Sequence, residues 1–583
     1  MFRRNLFQLS HVPHPPPDLP LEGGGNKDLT FPSPRGNNGC FLILLVFVFL
    51  SFTLLPGKIL GSDYHQLAGV LDTRSNFSDG TYSIEGLAKM SRERGIQVLF
   101  INDHDKTTLS YGLPPFPNII NKSEEMNSIL KRGSEEYLEA IRQAQRSYKD
   151  VIIIPGTESA PFYFWTGNPL SNNLTAHDHE RRILTVGLDK ADHYRKMPVV
   201  HNVGQLNMNL LHGIIPFVVS FLLAAVMITW RGLFRITGIA LAIISILFII
   251  DNHPFRASPF DPFHGKQGIA PYQLLIDYVK SRGGMTFWNY PETKSGVRKL
   301  GPIHVSTKPY PEVLLESREY TGFAALYGEN ITITEPGSLW DGTLKEYCKG
   351  YRMRSPWGVA TADYHKEGES GEKFGNFQTV FWVKENTKAA VLNAMQTGKM
   401  YARQGNFPNL PRLDEFSLSS ADGRKRGISG DDIMIKGNPH IRIDISATKI
   451  TPAAAATATL TPPDTTTTAR AATQIPTATP AAATAAIAAK SANKSATMAA
   501  PAIKPTTPAT STLSPAPAAT PSVPTVRVRL IRNGTMIQTF AGPLPLTIDY
   551  EDHFQPRGGK NFYRLDMEGA GKIVSNPIFV SFE

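Results

Sequence analysis

Cysteine is nearly missing from this chain: two in 583 residues, Cys40 and Cys348, the first inside an apolar run. A disulfide framework and a thiolate metal site are thereby excluded. No basic helix interleaved with aromatics is present either. Lys and Arg outnumber Asp and Glu by ten, but they are scattered, so no nucleic-acid partner is expected. Charge is absent from residues 40–56, CFLILLVFVFLSFTLLP, and acidic residues are absent from 210–230 and 233–250. Residues 451–524 have few charges and no large apolar side chains at regular spacing; an Ala, Thr and Pro tract of this kind cannot bury enough surface to fold.

What is present divides the chain. Residues 1–39, rich in Pro, Gly and Asn, read as a disordered leader. Residues 40–60 read as a transmembrane anchor, because Lys58 interrupts the exit and no small-x-small site follows at once; a cleaved signal peptide is the rival. The stretches 210–230 and 233–250, joined by Trp230-Arg231-Gly232, are long enough for two more spans. A helical hairpin buried in protein is the rival there. Arg231 and Arg235 flank the turn and Asp251 lies past the far end, so the turn is expected in the cytoplasm. The basic leader points the same way, and three spans leave both flanking segments outside.

Residues 69–105 are the organising stretch. A short apolar run ends at Val70-Leu71, Ser78-Asp79-Gly80 makes a turn, and Ile84, Leu87, Ala88 and Ser91 share one helical face. Val98-Leu99-Phe100-Ile101 then reads as a strand buried on both sides, delivering Asp103, His104 and Asp105 at its C-terminal end. Further strands are expected at 151–154, ending in Pro155-Gly156-Thr157-Glu158, at 183–188, at 285–288 and at 359–362. From residue 413 the period changes to two, with Ile441, Ile443 and Ile445 on one face and Val526, Val528 and Leu530 on another. Asn533-Gly534 marks a hairpin.

Ser78-Asp79-Gly80, Asp103-His104-Asp105 and Asp363-Tyr364-His365 resemble motifs of the PHP superfamily, the phosphoesterase domain named after polymerases and histidinol phosphatase. The resemblance implies an α/β fold: a distorted (β/α)7 PHP-type barrel over 61–205 and 251–410, interrupted by a transmembrane helical hairpin at 210–250. A C-terminal β-sandwich-like domain from 411–450 and 525–583 follows, with 451–524 as a disordered insertion in it or as a linker between two units. Several family ligands are replaced here. Asp72 and Arg74 stand where the first motif has paired histidines, Arg182 where a histidine begins a later strand, and Trp288-Asn289-Tyr290-Pro291 where the family has Ala-His-Pro. Loop residues His177 and His179 lie near enough in sequence to compensate for Arg182.

In that family, histidines and carboxylates at strand ends bind divalent metals that activate water on a phosphoester. The matching positions that keep ligand-type side chains are Asp72, His104, Glu158, Asp363 and His365, with Asp103 in support; they imply at most one ion of Zn, Mn or Fe, or none. Arg74 cannot ligate a metal, and its fixed fork is expected to bind an anion in the metal's place. Two functions follow from the resemblance: a membrane-anchored, metal-dependent phosphoesterase acting outside the cytoplasm, or a catalytically inactive PHP-like binding or scaffolding module. The expected partners are the lipid bilayer and a phosphoester or other anionic ligand.

Overall fold

A computed structural model describes residues 64–204, 206–368, 373–449, 525–554 and 558–583. The expected leader, the first apolar segment and the Ala/Thr/Pro tract lie outside these residues. Seven strands follow one another around a curled sheet: β1 (His65–Thr73), β2 (Val98–Ile101), β3 (Ile152–Ser159), β4 (Arg182–Val186), β5 (Met285–Asn289), β6 (Gly322–Leu326) and β7 (Trp357–Ala360). They are continuous apolar runs because both faces are covered, and Val70, Leu99, Ile153, Phe287, Phe323 and Val359 are all buried.

All neighbours in this set are parallel except those of β4, which runs antiparallel to β3 and to β5. The local reason is the connection from β3 to β4, which has no crossover helix, and antiparallel neighbours need none. Past β7 the chain returns to β1: the Ala362 amide donates to Leu71 O at 3.0 Å, Tyr364 to Asp72 O at 3.0 Å, and Arg74 to Tyr364 O at 2.9 Å. These bonds close the ring at one end, where β1, β2, β3 and β7 all have their C-termini.

Helix α1 (Ile84–Glu93) links β1 to β2, with Ser83 capping it through a hydrogen bond from Gly86 N. Its buried face is Ile84, Leu87, Ala88 and Ser91, as the helical spacing requires. After β2 a two-stranded ribbon, Thr108–Gly112 with Asn121–Glu125, leaves the barrel.

The interruption of the barrel is a pair of apolar helices, α2 (Met208–Ile228) and α3 (Leu233–Asp251), long and apolar enough to cross a membrane. They pack on one another. Ser245 Oγ donates to Ser220 Oγ at 3.0 Å, Phe217 stacks on Phe248 at 4.7 Å, and a side chain at Gly238 would press to 3.0 Å of Ala224 O. Leu222, Val226, Ile236 and Ile243 stay exposed on their outer faces.

Beyond the barrel, β8 (Phe377–Val383) pairs with the first half of β1 and β9 (Met400–Gln404) with β8. Strand β9 in turn pairs with Gly571–Ser575, so the barrel sheet runs on into the C-terminal strands. A separate four-stranded sheet, built on Asn409–Ser419 and His440–Lys449, shares a second apolar core with them through Leu413, Ile443, Val528 and Leu565. The C-terminal strands do not stand apart from the barrel: Arg564 and Asp341, both fully buried, form a 2.7 Å ion pair between the two parts.

Candidate functional site

The closed end of the barrel gathers the residues of the motifs. Strand β1 ends in Asp72 and Thr73, Arg74 follows it directly, and the backbone at Asp72 is left-handed (φ 65°). Tyr290 after β5 (φ 47°) and Asp363 after β7 (φ 45°) are left-handed too. Non-glycine residues rarely adopt this conformation, and here three strand ends share it around one side chain.

That side chain is Arg74, which is fully buried. Its Nη1 donates to Asp72 Oδ1 and, at 2.9 Å, to the carbonyl of Asn102. Its Nη2 lies 2.7 Å from Glu158 Oε2 and 3.4 Å from Asp363 Oδ1, while Nε lies 3.9 Å from Asp79 Oδ1. Burial alone would lower its pKa, but Asp72, Glu158, Asp363 and Asp79 together raise it well above the ordinary arginine value.

The buried carboxylates are also bound by other donors. Asn289 Nδ2 donates to Asp72 Oδ2 at 2.9 Å and to Glu158 Oε1 at 2.7 Å, and the Tyr290 hydroxyl donates to Asp72 Oδ2. Arg182 Nη1 reaches Glu158 Oε2 at 2.5 Å, and His104 Nδ1 lies 3.3 Å from the same oxygen. Burial would raise the Glu158 pKa, but Arg182 and Arg74 outweigh it and hold it at about 2.

Around this centre is a partly exposed rim. Asp79 Oδ2 receives His104 Nε2 at 3.2 Å and His365 Nε2 at 3.4 Å. Burial would lower His365, but the bond to Asp79 and the charge of Asp363 push it up to about 9; its Nδ1 meets the Asp363 carbonyl at 2.8 Å. Burial would raise Asp79, but His104 and His365 hold its carboxyl far below the usual range.

Two motif carboxylates are structural. Asp103 accepts the Ser75 amide at 2.8 Å, Ser75 Oγ at 2.5 Å, the Ser78 amide at 3.2 Å and Ser78 Oγ at 2.6 Å, so it fixes the loop that follows Arg74. Gly80 completes that loop, since a Cβ there would lie 2.2 Å from Arg74 O. Asp105 accepts from Ser159 Oγ at 2.7 Å, and burial pushes its carboxyl up to about 6. Of the two loop histidines, His177 bonds Thr166 Oγ1 at 2.7 Å, while burial, with Arg182 and His104 nearby, holds His179 down to about 3, as a neutral imidazole.

Asp72, His104, Glu158, Asp363 and His365 thus converge, but the three carboxylates pair with guanidinium groups of the chain itself and the two histidines with Asp79. Their arrangement does not fit a divalent ion. A metal 2.0–2.2 Å from Glu158 or Asp72 would sit against the buried guanidinium. At about 4 Å and an effective dielectric of about 20, a dication and a guanidinium repel by about 8 kcal/mol. Among the described residues no group of three His, Cys, Asp or Glu side chains is placed to hold an ion. The expectation for Arg74 also changes: the anions it binds are the protein's own, because no part of it reaches solvent. Asn289, Tyr290 and Asp79 carry no chemical role that the sequence by itself predicts, and Arg182, which holds Glu158, reads there only as a lost ligand. The signal was the joint replacement of three expected ligand positions by Arg74, Arg182 and Tyr290, all of them hydrogen-bond donors.

No family model and no curated protein matches the chain. Some solved structures overlap it loosely. One is a two-domain protein from Bacteroides vulgatus containing a predicted PHP-like metal-dependent phosphoesterase, with 9% identity over 66% of this chain and 76% of that one and a TM-score of 0.29. A candidate metal-dependent phosphoesterase from Bifidobacterium adolescentis shares 14% identity over 52% and 90%, at 0.25. An amidohydrolase from Chromobacterium violaceum, with bound sulfate and no metal, shares 14% over 52% and 88%, at 0.23. At these scores neither a family nor an activity is taken from the overlap.

Proposed function

We propose that this chain is a membrane-anchored, PHP-like barrel in which guanidinium has replaced the metal, and that it works without hydrolysis as a binding or scaffolding module outside the cytoplasm. The single observation behind this reading is Arg74, buried between Asp72, Glu158 and Asp363. With Asp72 and Glu158 taken up by Arg74 and Arg182, neither is free to hold a metal that would activate a water molecule or clamp two phosphoryl oxygens. Any anionic ligand meets Arg182 rather than Arg74, because the Arg182 side chain remains partly exposed. Three spans, residues 40–56 with α2 and α3, would hold the barrel to the bilayer. Arg231 and Arg235 beside the short turn favour the cytoplasmic side for that turn.

The test is metal content and turnover of the full chain, purified in detergent from cells grown with added zinc and manganese. The expected result is metal far below one ion per chain and no hydrolysis of bis(p-nitrophenyl) phosphate. A tightly held ion near one per chain, with turnover abolished by His365→Ala, would restore the hydrolase reading.

A further inference from the structure

The ribbon Thr108–Gly112/Asn121–Glu125 starts three residues after Asp105, and its return strand, NKSEE, is polar and exposed throughout. Its tip, residues 113–120, has the opposite character: Leu-Pro-Pro-Phe-Pro-Asn-Ile-Ile, with three prolines and no charge. Leu113, Ile119 and Ile120 are 48, 39 and 50% exposed there. A loop tip is ordinarily polar, and a rigid, uncharged, apolar tip on a polar ribbon calls for an apolar environment.

The position of the tip indicates which environment. Phe116 packs on Phe248 of α3 with ring centroids 4.9 Å apart, and Phe248 is itself stacked on Phe217 of α2. Phe248 precedes the helix end at Asp251 by nearly one turn, so the tip lies alongside the apolar part of the helix pair. The polar contacts are at the helix end: the Asn118 amide donates to Asp251 Oδ1 at 2.8 Å and Asn118 Nδ2 to Asp251 O at 3.2 Å. The segments that lead into α2 and out of α3 pair through Val203 and Arg256, and they add exposed Val203, Leu206 and Phe255. Trp165 and Tyr111 meet edge to face at 5.3 Å where the ribbon runs into its tip, the residue types that favour a membrane–water boundary.

From this continuity we infer that the 113–120 tip is a lipid-inserting element: it enters the outer leaflet beside α2 and α3 and fixes the barrel against the bilayer. The inference rests on reading those helices as membrane-spanning. It has a consequence for the site, because both ends of the ribbon are tied to the second motif. Ile129 N donates to His104 O at 2.9 Å and Leu130 N to Asp105 O at 3.0 Å, so the mouth segment and the inserted tip form one linked unit.

The experiment uses the full chain with Cys40→Ser and Cys348→Ser, carrying a single cysteine at Ile120, at Ile244 in α3 or at Glu124 on the polar ribbon. Each is labelled with an environment-sensitive fluorophore and reconstituted in phosphatidylcholine vesicles with or without nitroxide on the acyl chains. Quenching at Ile120 and Ile244 but not at Glu124 is expected. Quenching at Ile244 with none at Ile120 overturns the tip's insertion while leaving the spanning helices in place. A blue shift at Ile120 without quenching assigns the tip to a protein contact and also overturns it. Absence of quenching at Ile244 removes the membrane reading itself, and the inference with it.

Discussion

Removing the guanidinium of Arg74 strands Asp72 and Glu158, both fully buried, without their central counter-charge. Breaking a buried ion pair from one side typically costs about 3–5 kcal/mol, because the remaining charge is left unsolvated. Arg74→Met is therefore expected to destabilise the full chain by about that amount in denaturant unfolding in micelles. Adding Asp72→Asn should recover part of the loss. An Arg74→Met protein as stable as the parent would mean that the network is not an energetic centre. The rim gives a prediction in pH. His365 has a folded pKa of about 9 against an ordinary 6.5, so its pairing with Asp79 is fully present below about 6.5 and is lost as pH rises through about 9. Asp79 is depressed, so its contribution is present above its ordinary 3.8 and fades in acid. His365→Gln should flatten the decline in melting temperature between pH 6.5 and 9, and an unchanged slope would show that the pair contributes nothing. Both side chains are partly exposed, so the effect is modest.

At the scale of elements, the turn after β1 is where sequence and site meet. The loop from Ser75 to Gly80 is tied to the end of β2 by four hydrogen bonds to one carboxylate, and Gly80 backs directly onto the Arg74 carbonyl. A methyl group at 2.2 Å from backbone has no space, and the loop must move. Gly80→Ala is expected to destabilise by about 1–3 kcal/mol, as overpacking does, and to raise hydrogen exchange at Ser75 and Ser78. Unchanged protection at these amides would show that the loop is not held by this contact. The Ser and Gly positions of the first motif are thus explained by support of the chain, independently of any metal.

For the whole molecule, the proposed anchoring fixes which faces are accessible. A cysteine at Gly232, in the turn between α2 and α3, should resist an impermeant thiol reagent in intact cells from which the outer barrier has been removed, whereas one at Glu124 should react. The reverse pattern would invert the arrangement. Barrel and C-terminal strands should behave as one unit in this labelling and in unfolding, because a single sheet runs through both and Arg564–Asp341 is buried between them.

Much of the local order was written in the chain. The uninterrupted apolar run Val98-Leu99-Phe100-Ile101 specifies a strand covered on both faces, the spacing of Ile84, Leu87 and Ala88 specifies a helix with one buried side, and residues 210–250 specify two apolar helices. Such features depend on neighbours within a few residues, so composition and period suffice to read them. The antiparallel course of β4 and the continuation of the barrel sheet into Gly571–Ser575 depend on pairings distant in sequence, which periodicity does not record. The same holds for the site. The sequence placed Asp72, His104, Glu158, Asp363 and His365 at strand ends and marked Arg74 as foreign to a metal centre. Only the closed barrel determined that Arg74 turns inward, where Asp72, Glu158 and Asp363 from three separate strand ends surround it and take the coordination that a metal would have needed.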